Sequence, residues 1–118
     1  MKIVIVTGSF DDPGPEIVRL LEEASHLGRL RILLWPDETV ASLTGRPPKR
    51  PEMERLGRLR AALKSGEAEI GPPLRSPHVL PDVGPPGNTI WAVFPGEDHP
   101  KKRAFCAALG IELRVLGG

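Results

Sequence analysis

Blocks of apolar residues follow two different spacings along this chain, and these predict strands and helices in alternation. Residues 3–6 form a continuous β-branched run, which is typical of a central parallel strand covered on both faces. In residues 16–26 the apolar side chains recur at helical spacing, which predicts an amphipathic helix. The same patterns predict strands at 2–7, 30–35, 68–70, 89–94 and 111–116, and helices at 16–26, 38–43, 52–64 and 99–109. We expect the third helix to bury the stripe formed by Met53, Leu56, Leu59 and Leu63.

The alternation of strands and helices predicts a parallel sheet with right-handed crossovers. We expect residues 1–118 to form a single α/β domain, a three-layer Rossmann-like fold with a doubly wound parallel five-stranded sheet. Ligands bind such sheets at the carboxyl ends of the strands, where the strand order reverses. We therefore expect the loops at 8–16, 36–51 and 95–100 at one edge. Residues 71–88 hold six prolines and three glycines, which predicts a surface loop within the domain.

Composition and charge narrow the classes of partner. The 118 residues carry a formal net charge of +1, which argues against a strongly basic nucleic-acid-binding domain. No apolar run approaches the length of a membrane span, and the run at 3–6 is too short for a signal peptide. Cys106 is the single cysteine, so we expect a buried thiol in a reducing compartment. These features predict a cytoplasmic protein without nucleic-acid or membrane partners.

The loop at 8–16 has two interpretations that the residues leave open. Its glycines let backbone amides approach a phosphate at a helix N-terminus, where the dipole favours anions. Asp11 and Asp12 repel a phosphate unless a metal ion intervenes. The alternative is that Asp12 caps the helix, with Pro13 at its first position.

A basic group follows the second strand. The segment at 44–51 is interrupted by prolines, and it contains or adjoins four basic residues, Arg46, Lys49, Arg50 and Arg55. Guanidinium groups match the geometry of phosphate oxygens. The alternative is a solvated basic face, which is the more common use of such residues.

The turn after the fourth strand reads Gly96-Glu97-Asp98-His99. Asp98 is expected to cap the following helix, with Pro100 in its first turn. In a functional interpretation the turn contacts a ribose or a base, with His99 near the phosphates. Adjacent acids and a histidine rarely converge on one ion, so we predict no protein-bound metal here.

Three other residues have simpler interpretations. His78 lies in the loop at 71–88, which we call the proline-rich loop, and is predicted to be exposed. Trp35 and Trp91 are predicted to pack in the core or in an interface, with base stacking as the alternative.

The sequence Gly8-Ser9-Phe10-Asp11, followed by residues 18–24, resembles the cytidylyltransferase-like nucleotidyltransferase superfamily, as in glycerol-3-phosphate cytidylyltransferase and heptose-phosphate nucleotidyltransferases. Further likenesses lie at 37–38, 45–48, 54–64, 96–98 and 104–112. The resemblance implies binding of CTP or ATP with Mg²⁺, release of pyrophosphate if the protein is active, and a homodimer. It implies that the nucleotide or phosphate contacts come from Gly8, Ser9, Phe10, Asp11, Gly14, Arg46, Arg55, Gly96 and Asp98.

This sequence departs from the superfamily at its catalytic motif. The two histidines of His-x-Gly-His align with Gly14 and Ile17, which cannot donate a side-chain hydrogen bond to the charge that develops in the transition state. No Ile-Ser-Ser-Thr-x-x-Arg segment follows Leu116. We therefore expect a degenerate nucleotidyltransferase-like protein that binds a nucleotide or a phosphorylated small molecule, with His99 as the candidate catalytic residue. The alternatives are a non-catalytic dimerising or regulatory module with a vestigial pocket, and a transferase completed by a partner subunit.

Overall fold

Five parallel strands form one sheet in the order β3-β2-β1-β4-β5. The computed structural model describes residues 2–81 and 87–117. This confirms the predicted Rossmann-like doubly wound sheet. The elements are β1 (Ile3–Gly8), α1 (Pro15–Ser25), β2 (Arg29–Leu34), α2 (Asp37–Thr44), α3 (Glu52–Ala62), β3 (Glu67–Ile70), β4 (Thr89–Val93), α4 (Pro100–Leu109) and β5 (Glu112–Val115).

The central strand β1 carries the predicted β-branched run. It pairs along its whole length with β2, from Ile3 opposite Arg29 to Gly8 opposite Leu34. On its other side it pairs with β4, where Ile3 lies opposite Thr89. From β1 the chain moves outward through β2 to β3, and then returns to β4 on the opposite side. The strand order therefore reverses between β1 and β4, and their carboxyl ends form the switch point of the sheet.

Both faces of the sheet are buried, which explains why β1 has no polar side. One core contains Val4 and Val6 with Leu20 and Leu21 of α1 and Leu59 of α3. The other core contains Ile5 and Trp91 with Cys106 of α4 and Leu80 of the proline-rich loop. Because alternate side chains of a strand point to opposite faces, a continuous apolar run serves both cores.

Neither aspartate caps a helix, so the prediction for Asp98 is wrong and the capping alternative for Asp12 does not hold. Helix α1 begins at Pro15 rather than Pro13, and its N-cap residue Gly14 provides no side-chain hydrogen bond. Helix α4 is capped by His99, whose Nδ1 accepts a hydrogen bond of 3.0 Å from the backbone N–H of Lys101. Asp98 instead pairs with Arg103 at 3.1 Å. Neither the carboxylate of Asp12 nor that of Asp98 therefore accepts a capping hydrogen bond at a helix N-terminus.

The buried stripe of α3 differs from the prediction at Met53 and at Leu63, which follows the end of the helix and is partly buried. Leu56 and Leu59 are buried, as expected, but Met53 is 67% exposed. Arg55 is fully buried in its place. The apolar spacing predicted that Met53 would be buried. It could not show that backbone carbonyls far along the chain accept hydrogen bonds from a buried guanidinium at position 55.

The predicted loop at 71–88 is described as far as residue 81 and again from residue 87, and neither part belongs to a helix or a strand. The rest of the predicted loop, residues 82–86, lies outside the described residues. Leu80 is buried and anchors this segment in the second core. Cys106 is buried as predicted, and burial raises the pKa of its thiol. None of the helices in the described ranges is long and apolar enough to span a bilayer.

Candidate functional site

The switch point is bordered by the segment after β1 and the turn after β4. We call residues 9–14 the anchored loop. Phe10 in this loop has φ +49, which is uncommon for a residue with a side chain and costs about 1–3 kcal/mol. The residue is 8% exposed, and its ring contacts that of Phe94 edge-to-face at 6.1 Å between centroids. Packing between the two strand ends therefore helps to hold the loop in a backbone conformation that it would not adopt alone.

The side chain of Arg55 in α3 contacts the anchored loop and restrains its backbone. Its Nη1 donates to the carbonyl of Ser9 at 2.7 Å and to that of Trp35 at 2.9 Å. Its Nη2 donates to Oδ1 of Asp37 at 2.8 Å, and its Nε donates to the carbonyl of Arg50 at 3.0 Å. The side chain is fully buried and its acceptors are protein groups. Arg55 thus joins the loops after β1 and β2, which is a positioning role.

Asp11 joins the anchored loop to the basic segment before α3. Its Oδ2 accepts from the backbone N–H of Lys49 at 2.7 Å, and its Oδ1 accepts from that of Arg50 at 3.0 Å. The hydrogen bond from Lys49 is the main reason that the pKa of Asp11 is lowered, with a smaller contribution from the charge of Arg55. The carboxylate is therefore ionised and used within the protein. No local pattern in the sequence indicates this contact across 38 residues.

Two cavities meet at Ser9. The first, which we call the acidic cavity, has a volume of about 230 Å³. Its apolar wall is formed by Phe10, Ile17 and Phe94, and its carboxylates come from Asp11, Asp12 and Glu97. Ile17 thus places an alkyl side chain at a position where the resembled superfamily has a histidine. Gly14 is exposed and does not line either cavity.

The second cavity, which we call the basic cavity, lies on the other side of Ser9 and has a volume of about 420 Å³. The loop after β2 contributes Trp35, the proline-rich loop contributes His78, and the turn before α4 contributes His99. Lys102 of α4 also lines it. Gly8, Ser9 and Glu97 line both cavities, so the two form one continuous crevice.

His78 is not exposed as predicted. Its ring stacks on that of His99, with 4.2 Å between centroids and 15° between planes. Its Nδ1 is buried without a hydrogen-bond partner. Burial lowers the pKa of His78, and the nearby charges of His99, Lys102 and Lys101 lower it further. His78 is therefore neutral at pH 7, in a site that a search along the sequence missed because residues 78 and 99 meet only in the fold.

Lys102 is also a functional candidate that the sequence did not reveal. It is 8% exposed, and its Nζ lies 5.3 Å from the centroid of the Trp91 ring. Burial lowers the pKa of this lysine, while the carboxylates of Glu97 and Asp98 partly offset the effect. A lysine three residues into a helix usually predicts a solvated charge, and only the neighbouring loop and Trp91 bury it.

The structure brings together most, but not all, of the predicted site residues. The members that line the crevice are Gly8, Ser9, Phe10, Asp11, Gly96, Asp98 and His99. Gly14, Arg46 and Arg55 do not line it. Arg46 is exposed on the segment that Asp11 holds. The ligand contacts predicted for all these residues remain predictions.

Another opening, of about 470 Å³, lies along the edge strand β3. Its arginine, Arg60, donates to the carbonyl of Ala68 at 3.2 and 3.0 Å and so supports the end of α3. This opening is distant from the switch point, and we therefore place the functional site in the crevice. Within residues 2–81 and 87–117, no three His, Cys, Asp or Glu side chains cluster closely enough to hold a metal ion.

Comparisons with protein-family models and with curated proteins give no match. Among solved structures, the chain is similar to the crystal structure of the lipopolysaccharide core biosynthesis protein from Thermoplasma volcanium GSS1. The TM-score is 0.64 at 19% sequence identity, and the likeness covers 98% of this chain and 93% of the other. At this identity the similarity establishes a shared α/β fold.

Proposed function

We propose that this chain is a nucleotidyltransferase-like protein of the cytidylyltransferase type, which binds a nucleotide or a phosphorylated small molecule in the crevice. The observation that carries the proposal is the crevice itself, which opens at the switch point between β1 and β4. The retained turn Gly8-Ser9-Phe10-Asp11 lines it. The shared fold with a lipopolysaccharide core biosynthesis protein also supports a biosynthetic role.

Binding is favoured over ordinary nucleotidyl transfer because the side chains at positions 14 and 17 cannot donate hydrogen bonds. Donors aimed at developing negative charge usually supply the largest catalytic contribution, at about 3–4 kcal/mol for one donor. Gly14 and Ile17 offer no such donor. Any turnover would need other groups, and His99 is the nearest candidate because it lines the same crevice.

Magnesium would enter this site together with the nucleotide. Asp12 and Glu97 line the acidic cavity, and carboxylates of this kind bind Mg²⁺ jointly with substrate phosphates. Asp11 is less suited because both its oxygens accept backbone hydrogen bonds. A bound Mg²⁺ would neutralise the repulsion between these acids and a phosphate chain.

Calorimetric titration with CTP, ATP and their diphosphates, with and without Mg²⁺, tests the proposal. Asp12→Trp should fill the acidic cavity and weaken nucleotide binding by more than about tenfold, since steric exclusion removes the site. The matched control is Glu16→Trp, which changes an exposed acid of α1 outside the cavity lining. Absence of heat at millimolar nucleotide with Mg²⁺ would refute nucleotide binding, and equal affinity of the two variants would refute the location. The solution mass measured on the same samples tests the predicted homodimer.

A further inference from the structure

The basic cavity contains buried polar groups that the protein itself leaves without partners. We propose that this cavity is a binding site for a phosphate dianion or the phosphate end of a small molecule, held by Lys102, His78, His99 and Trp35. The inference deepens the proposed function and rests on it, because the phosphate would belong to the small molecule bound in the crevice. It places the phosphate in a different region from Arg46 and Arg55, the ligands expected from the sequence.

The first support comes from unsatisfied buried atoms. Across the described part of the chain, the buried side-chain nitrogens and oxygens without a partner are Trp35 Nε1, Arg50 Nε, His78 Nδ1 and Thr89 Oγ1. Trp35 and His78 both line the basic cavity. An indole N–H can only donate, so its missing partner must be an acceptor. Leaving such a group unpaired is costly. Both nitrogens are closed to solvent in the free protein, so a phosphate oxygen can pair with them only after a small rotation of the indole or imidazole ring.

The second support is the ammonium group of Lys102. More than nine-tenths of this residue is buried, and it lines the same cavity. It forms no ion pair in residues 2–81 or 87–117. Two carboxylates line this cavity as well: that of Asp98 is paired with Arg103 at 3.1 Å, and that of Glu97, which lies near Lys102, is the acid that a bound anion must compete with. A cation withdrawn from water in this way attracts an anion more strongly than an exposed lysine does.

The third support is the histidine pair. The Nδ1 of His99 accepts from the backbone N–H of Lys101, so the proton of the neutral ring resides on Nε2, which is left as a donor. His78 stacks on this ring and provides a second imidazole. The cavity volume of about 420 Å³ accommodates a phosphate with part of an attached molecule.

Proton uptake should accompany binding. The charged groups facing His78 are Lys101 and Lys102 of α4, His99 before it, and the carboxylates of Glu97 and Asp98 in the turn after β4. In the free protein, burial and the neighbouring cations lower the pKa of His78. A dianion between His78 and Lys102 opposes both effects and raises that pKa, so binding strengthens as the pH falls.

The test uses the intact chain with inorganic phosphate as the probe. Titration is followed by calorimetry and by the NMR signals of the histidine rings. Phosphate should shift the ring signals of His78 and His99 and leave those of His26 unchanged. Lys102→Met should weaken phosphate binding by about 10- to 100-fold, the range expected for loss of one charge-assisted contact. The control Lys101→Met removes an exposed lysine one residue away and should change the affinity less than about threefold.

Sulfate replaces phosphate for the pH measurement, because it stays a dianion throughout. Its affinity should rise by up to about tenfold per pH unit as the pH falls from neutral toward the lowered pKa of His78 in the free protein, if one proton is taken up. His78→Gln should abolish most of this dependence, and circular dichroism checks that the variant is folded. An affinity that does not vary with pH overturns the participation of His78.

The outcomes separate this inference from the proposed function. If CTP binds but phosphate leaves the histidine signals unmoved, the phosphate site is wrong and the nucleotide site stands. If phosphate binds with the predicted variant effects but no nucleotide binds, the inference stands and the nucleotide proposal fails. Equal phosphate affinity of the Lys102→Met and Lys101→Met variants overturns the inference.

Discussion

The anchored loop and the basic cavity lie on the same edge of the sheet but use their polar groups in opposite ways. In the anchored loop, Asp11 and the underlying Arg55 each bind protein partners at 2.7–3.0 Å. In the basic cavity, Trp35 and His78 have buried nitrogens without partners. Satisfied polar groups stabilise a fold, and unsatisfied ones mark where a ligand gains the most. The difference therefore distinguishes residues that hold the loops in place from residues that we propose to contact a ligand.

The largest effect is expected from Arg55→Met. The substitution leaves the carbonyls of Ser9 and Trp35 and the carboxylate of Asp37 without their donor, and should lower the free energy of unfolding by about 3–5 kcal/mol. Denaturant unfolding followed by circular dichroism measures this. Arg58→Met, at an exposed position of the same helix, is the control and should change stability by less than about 0.5 kcal/mol. Similar stabilities for the two variants would show that Arg55 does not anchor the loop.

A smaller effect is expected from Asp11→Ala, which removes the acceptor for the backbone N–H groups of Lys49 and Arg50. The loss should be about 1–2 kcal/mol near pH 7, measured by thermal or denaturant unfolding. Because the pKa of Asp11 is lowered in the fold, its contribution is fully present above the ordinary value of 3.8 and is lost as the pH falls through the folded-state pKa. The stability difference between wild type and variant should therefore disappear in acid. Asp12→Ala, the exposed neighbour, should show neither effect.

The smallest effect on stability is expected from Lys102→Met, the variant that is expected to weaken phosphate binding. Burial lowers the pKa of Lys102, so protonation favours the unfolded chain, and the fold gains stability as the pH rises from the folded-state pKa toward 10.5. Removing the charge eliminates that cost, while the contact with Trp91 is also lost. We expect a change within about 1 kcal/mol at pH 7 and no stability gain of this origin at alkaline pH. A decrease in the free energy of unfolding as large as that of Arg55→Met would show that Lys102 has a structural role. It would contradict the difference between the two regions.

The sheet was predictable from the sequence because its signal is local. A β-branched run such as residues 3–6 needs burial on both faces, and only a central parallel strand provides it. The helix starts were less predictable, since Pro13 and Pro15 are equivalent signals for a first helical position, and only the path of the anchored loop selects Pro15.

The site was predictable only where one short segment forms it. The turns at 8–11 and 96–99 were identified because strand ends of a parallel sheet share an edge. The surroundings of Arg55 and His78 were not predictable because they come from segments far along the chain. Burial of Arg55 depends on the carbonyls of Ser9 and Trp35, and burial of His78 depends on the stacked ring of His99. Hydrophobic periodicity carries no information about such long-range hydrogen bonds and ring contacts.

The hydrogen bonds of Arg55 also bear on how the protein moves. One side chain of α3 restrains the backbone after β1 and after β2 at once, so neither segment can open far while that helix is intact. Local fraying of α3 would release both together as one cooperative unit. A ligand that enters the crevice thus meets walls that are already ordered, and little of its binding energy is consumed in arranging them.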